Sequence, residues 1–82
     1  MENKIRQDIS IGANLKALRK NAHFSQEEAA AKLELMGLSV SREMLSQMEL
    51  GRYSIRVSVL VALKQIYQVD SFDEFFKDVK LP

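Results

Sequence analysis

Apolar residues along this chain recur at spacings of three and four, the period of an amphipathic helix. No alternating stretch is long enough to read as a strand. The first helix is expected from about Asp8 or Ser10 to Asn21, with Ile11, Leu15, Leu18 and Ala22 on one stripe and Lys16, Arg19 and Lys20 off it. A second helix starts at Ser25. The Ser25 side chain can cap the free backbone N–H groups, Glu28 can reach back to the Ser25 N–H, and Phe24 can pack on Ala29. Ala29, Ala30, Leu33 and Met36 form its apolar face, and Gly37 is the expected stop.

The stretch SVSREMLSQMELG, residues 39–51, predicts a third and much shorter helix. Ser41 is its cap, Val40 and Leu45 are a staple pair, and Gly51 ends it. Only Leu45 and Met48, with Val40 just ahead, suit a buried face; Arg42, Glu43, Ser46 and Gln47 make a polar one. So short a helix is not stable by itself, so packing must hold it. The fourth helix is expected over Val57–Gln68, with Leu60, Leu63 and Tyr67 on one face and Val59 and Ile66 partly on another. Ser71 and Glu74 repeat the capping pattern, which predicts a short fifth helix carrying Phe72, Phe75 and Phe76. The expected fold class is all-α: a compact five-helix bundle, in which a tight, glycine-containing link between the second and third helices outlines a helix-turn-helix.

Length and composition narrow the possible chemistry. The chain has 82 residues, 46% hydrophobic and 28% charged, which suits one small globular domain. The expected division is a flexible N-terminal arm over 1–8, the helical domain over 9–78 and a tail over 79–82. With no cysteine, disulfides and thiolate metal sites are excluded. His23 is the one histidine and no ligand-type cluster stands near it, so no metal and no cofactor are expected; an exposed or turn-capping place suits it. No nucleophile–base set and no glycine-rich phosphate loop is present, so an enzyme is not expected. No apolar run is long enough to span a membrane, and residues 1–10 lack the apolar centre of a signal peptide; the expected compartment is the cytoplasm. The net charge is only +1 and unevenly spread: residues 25–50 hold two Lys/Arg against five acids, whereas residues 1–24 hold five against two.

Three pieces in this order and spacing, IGANLKALRKNAHFSQEEAAAKL, VSREMLSQMELGR and LVALKQIYQVDSFDEFF, make the region from Ile11 to Val69 resemble the Cro/repressor (XRE) family of lambda-repressor-like helix-turn-helix domains. The resemblance implies a five-helix fold that binds double-stranded DNA operators, usually as a homodimer. One departure is the segment ELMGLSV between Leu33 and Ser41, about three residues longer than is typical. It predicts a second helix longer by one turn, with Leu35, Met36 and Leu38 extending the core.

The polar face of the third helix then has a role, because a helix can enter the major groove and present side chains to base edges. Arg42 can donate twice to guanine, Glu43 can accept from cytosine, Gln47 can both donate to and accept from adenine, and Met44 can touch a thymine methyl. Of these, Arg42, Glu43 and Gln47 hold positions that the resemblance implies are common base readers. It also implies a phosphate contact for Gln26 at the start of the second helix, where free N–H groups favour an anion. Ser39, Ser41, Arg52 and Tyr53 are further phosphate candidates, with Lys16 and Lys20 weaker ones. The resemblance further implies that Arg19 and Glu49 pair inside the domain and orient the third helix.

Each of these residues also has a plainer reading. The polar face can be an ordinary solvated one, and Arg42 with Glu43 can serve a protein contact. Phe72, Phe75 and Phe76 can be core, or part of a dimer surface. Two functions stand side by side: a repressor-like transcriptional regulator binding a palindromic operator as a dimer, and a protein-binding adaptor or antitoxin-like module with weak DNA binding. A regulatory protein partner is compatible with both.

Overall fold

In a computed structural model, which describes residues 4–81, four α-helices pack around one core. They are α1 (Gly12–Asn21), α2 (Gln26–Leu35), α3 (Arg42–Glu49) and α4 (Val57–Ile66). A short 3-10 helix, Phe72–Phe76, follows them. Ile11, Leu15, Ala29, Leu33, Val40, Leu45, Met48, Val59, Leu60, Leu63 and Tyr67 are buried together, with Leu18, Ala22 and Ile66 half-buried against them.

The fold differs from an all-α five-helix bundle in two places. First, it contains a small antiparallel sheet, β1 (Lys4–Ile5) with β2 (Ile55–Arg56), in which Lys4 faces Arg56 and Ile5 faces Ile55. Two-residue strands are too short to show an alternating pattern, and so periodicity does not find them. The expected arm over 1–8 therefore contains β1; its residues 1–3, like Pro82 of the expected tail, lie outside the described residues. Second, the last element is a 3-10 helix and not an α-helix. The Ser71 carbonyl accepts from Glu74 N, three residues on, and Ser71 Oγ accepts from Asp73 N at 3.1 Å. Asn14 Nδ2 donates to the carbonyls of Phe75 (3.0 Å) and Lys77 (2.8 Å), which takes them away from a continuing helix. Phe75 is completely buried and belongs to the core, so it is unavailable to a dimer surface; Phe72 and Phe76 are exposed.

The first helix begins later than periodicity suggests. Gln7 Oε1 accepts from Ile11 N, and Ser10 Oγ accepts from Gly12 N, so residues 8–11 form a hydrogen-bonded approach to α1. The α2 capping box is complete: Ser25 Oγ accepts from Glu28 N at 3.0 Å, and Glu28 Oε1 accepts from Ser25 N at 2.9 Å. The Ser25 backbone N–H, and after it the Ser25 side chain, favour the Glu28 carboxylate and hold its pKa below the ordinary value. Leu35 and Met36 do not extend the core. Gly37 adopts φ +82°, and Leu38 N bonds back to the Leu33 carbonyl. The turn leaves Leu35 87% exposed and Met36 exposed, and returns only Leu38 to partial burial.

All four α-helices end in the same way. The residue after the cap bonds back to the third residue before it, and the next residue bonds across the whole turn, as in His23 N to Lys20 O with Phe24 N to Arg19 O. Gly37 and Gly51 occupy the left-handed position after α2 and α3; His23 (φ 66°) and Gln68 (φ 55°) occupy it after α1 and α4. A side chain is strained there. Because the Gln68 side chain is exposed, Gln68→Gly should raise stability by about 0.5–1 kcal/mol, read as a higher urea midpoint with an unchanged slope.

Candidate nucleic-acid interface

The short helix α3 gains its position from both ends. At its start, Ser41 Oγ accepts from Met44 N at 3.1 Å. At its end, Gln7 Nε2 donates to the carbonyls of Met48 (3.2 Å) and Tyr53 (2.7 Å). Gln7 thus ties the N-terminal segment to the last turn of α3 and the loop after it. No sequence signal marked Gln7 for this role, since an exposed-looking amide far away in sequence carries no periodicity.

A second tie is electrostatic. Arg19 on α1 donates through Nε to Glu49 Oε2 (2.8 Å) and through a terminal nitrogen to Glu49 Oε1 (3.0 Å). Its other terminal nitrogen donates to the Phe24 carbonyl at 2.9 Å. Gln26 Nε2 donates to Glu49 Oε1 at 3.0 Å. Arg19 and Glu49 are both buried, and together the pair joins the end of α3 to α1, to the link after α1 and to the start of α2. The hydrogen bonds to Glu49 raise the Arg19 pKa further and outweigh the lowering due to burial. The Tyr67 hydroxyl is buried and has no hydrogen-bond partner among the described residues; burial, then the Glu49 charge, raises its pKa.

The outer face of α3 is open. Arg42 and Glu43 are exposed, Met44, Ser46 and Gln47 are half-buried, and the Arg42 guanidinium is 3.9 Å from the Glu43 carboxylate. Beside this face lie two grooves, and Met44 lines both. One groove, about 310 Å³, is formed by Glu34, Ser39, Val40, Ser41 and Met44. The other, about 570 Å³, is formed by Lys4, Met44, Met48, Arg52, Tyr53, Ser54 and Arg56. The sides are electrically unlike: Ser39 and Ser41 share their groove with an acid, whereas Arg52 and Tyr53 share theirs with two more cations. Arg52 and Tyr53 are marked by their place after the third helix, whereas Lys4 and Arg56 carry no sequence signal, because only folding brings residue 4 beside residue 56.

A family model described as a helix-turn-helix domain matches residues 10–74. The chain belongs to that family. The helix-turn-helix domain is a DNA-binding module, in which the second helix of the motif lies in the major groove and the first crosses the backbone. Here α2 and α3 are the two helices of the motif. No curated protein and no solved structure matches the chain significantly. Among the described residues of this helix-turn-helix domain, no helix is long and apolar enough to cross a membrane, and no three His, Asp or Glu side chains gather as a metal site.

Gln26 stands at the first position of α2, with one N–H of its amide already given to Glu49 and the carbonyl and second N–H free of a protein partner among the described residues. Lys16 and Lys20 are exposed on α1, and His23 is exposed in the turn after it.

Proposed function

We propose that this helix-turn-helix protein is a sequence-specific, repressor-like transcriptional regulator in the cytoplasm, acting as a homodimer on a palindromic operator. The observation that carries the reading is the open face of α3: an eight-residue helix, held at its C-terminal end by Gln7 and Arg19, whose outer side offers Arg42, Glu43, Met44 and Gln47. In this reading those four read bases, and Gln26, Ser39, Ser41, Arg52 and Tyr53 hold phosphates. Gln26 would use its remaining N–H, so that Glu49 positions its amide toward the backbone. A dimer would set half-sites about one helical turn, roughly 34 Å, apart. Phe72 and Phe76 are apolar side chains available for that contact.

Selection of bound duplexes from a random pool at near-physiological salt tests the reading. An enriched palindrome is expected. In the double variant Arg42→Ala, Gln47→Ala its enrichment should vanish, since each bidentate base contact contributes about 1–3 kcal/mol of discrimination. Melting should move little, because Arg42 is exposed and Gln47 is half-buried, and neither side chain hydrogen-bonds within the described fold. A large fall in melting temperature would instead make these residues structural.

The adaptor reading has one observation of its own, Leu35 and Met36, which stand exposed at the end of α2 where a protein partner would cover them. Folded protein that enriches no duplex would favour it.

A further inference from the structure

Two cations of the small sheet stand where neither helps the fold. Lys4 lies directly opposite Arg56 in the antiparallel register. Opposed residues share one face of such a pair, with Cβ atoms about 5 Å apart, and like charges there are destabilising. Arg56 is also the cap residue of α4, where it makes no capping hydrogen bond, and the first turn of α4 holds no acid. A helix N-terminus carries a positive partial charge, so a cation is doubly misplaced there. The ion pairs among the described residues are Arg19–Glu49 and Arg42–Glu43, and they include neither Lys4 nor Arg56.

The sheet also fixes where these charges go. Ile5 and Ile55 take the opposite face and pack on the core, with Ile55 completely buried. Lys4 and Arg56 line the groove of about 570 Å³ beside α3, together with Arg52, Tyr53 and Ser54. Three cations line it and no acid does. Gln7, two residues beyond β1, is hydrogen-bonded to the end of α3, so sheet and recognition helix are held together.

We infer that this two-stranded ribbon is a phosphate-binding ledge of the DNA interface. Lys4 and Arg56, with Arg52, take backbone phosphates of the duplex on the Tyr53 side of α3. The anion supplies the charge that the fold leaves uncompensated, and the N-terminal segment becomes part of the site. The inference rests on the DNA-binding reading of α3 and adds to it contacts that position the protein without reading sequence.

The test is titration of the full chain with two labelled duplexes, one from the selection and one unrelated, between 50 and 200 mM salt. Lys4→Gln and Arg56→Gln should each reduce the slope of log K against log salt by about 0.9, the value for one lost phosphate contact. Each should weaken both duplexes by the same factor, and that factor should be about 3-fold larger at 50 mM than at 200 mM. Melting without DNA should hold or rise, since a repulsion is removed. The charge-keeping variants Lys4→Arg and Arg56→Lys should retain the slope. If the wild type binds with a salt-dependent slope that both glutamine variants keep, the ledge is refuted and the DNA reading stands. Weakened binding with lowered melting, not restored by the charge-keeping variants, would make the ribbon structural and likewise refute it. A folded wild type that binds no duplex would overturn both.

Discussion

Glu49→Ala is expected to cost about 3–5 kcal/mol of folding free energy, because it leaves the Arg19 guanidinium buried with its main partner removed. For a chain of this length that is on the order of 20 °C or more in melting temperature. The loss is larger than one ion pair suggests. Glu49 accepts from Arg19 twice and from Gln26 once, so alanine frees donors on both α1 and α2 and lets the end of α3 drift. DNA binding should fall with the fold, and for that reason melting must be measured beside it. The double variant Arg19→Met, Glu49→Met distinguishes pairing from packing. Replacing both charges with apolar side chains of similar size is often close to neutral, so the double variant should melt well above Glu49→Ala. Equal melting of the two would mean that the hydrogen-bonded charge pair itself, and not filled volume, holds α3.

The second large effect is expected at Gly12. A Cβ at this position would collide with the Glu49 carbonyl oxygen and stand 2.9 Å from the Gly51 nitrogen. These are backbone atoms, which cannot rotate aside as a flexible side chain can. Gly12→Ala should therefore cost about 3 kcal/mol, at the upper end of the usual range for an overfilled contact, although alanine is ordinarily the better helix former. Gly12→Ser should be worse still. Thermal unfolding by circular dichroism checks both, and an alanine variant as stable as the wild type would show that α1 and α3 can separate without loss. Because the contact lies at the last turn of α3, surviving variants should also misplace Gln47 relative to the groove. The selected operator should then be bound more weakly while unrelated DNA is bound as before.

Much of this molecule is legible in the chain. The Ser25–Glu28 capping box is a four-residue device whose atoms meet through local geometry, and its two hydrogen bonds form as the pattern implies. The short helix from Arg42 has its serine before it and Gly51 after it, and both signals act within a few residues. The polar candidates on α3 share a face because helical spacing puts them there. The 3-10 character of Phe72–Phe76 was not legible, since it depends on Asn14 holding carbonyls more than sixty residues away in sequence. Leu35 and Met36 misled for a related reason: apolar character does not say which way a left-handed turn sends the chain.

What the sequence determined by itself is therefore local and periodic: four amphipathic helices, the serine caps of α2 and α3, the glycine stops, and the match over residues 10–74 that makes this a helix-turn-helix domain. What only the tertiary structure decided is long-range. It paired Lys4 with Arg56, set Gln7 against the end of α3, brought Gly12 against the Glu49 backbone, and gave the two grooves beside Met44 opposite electrical character. The physical reason is the range of the forces read. Helix periodicity and capping are satisfied within one or two turns, whereas close approach, cross-strand register and the sum of charges around a groove exist only once distant segments are packed together.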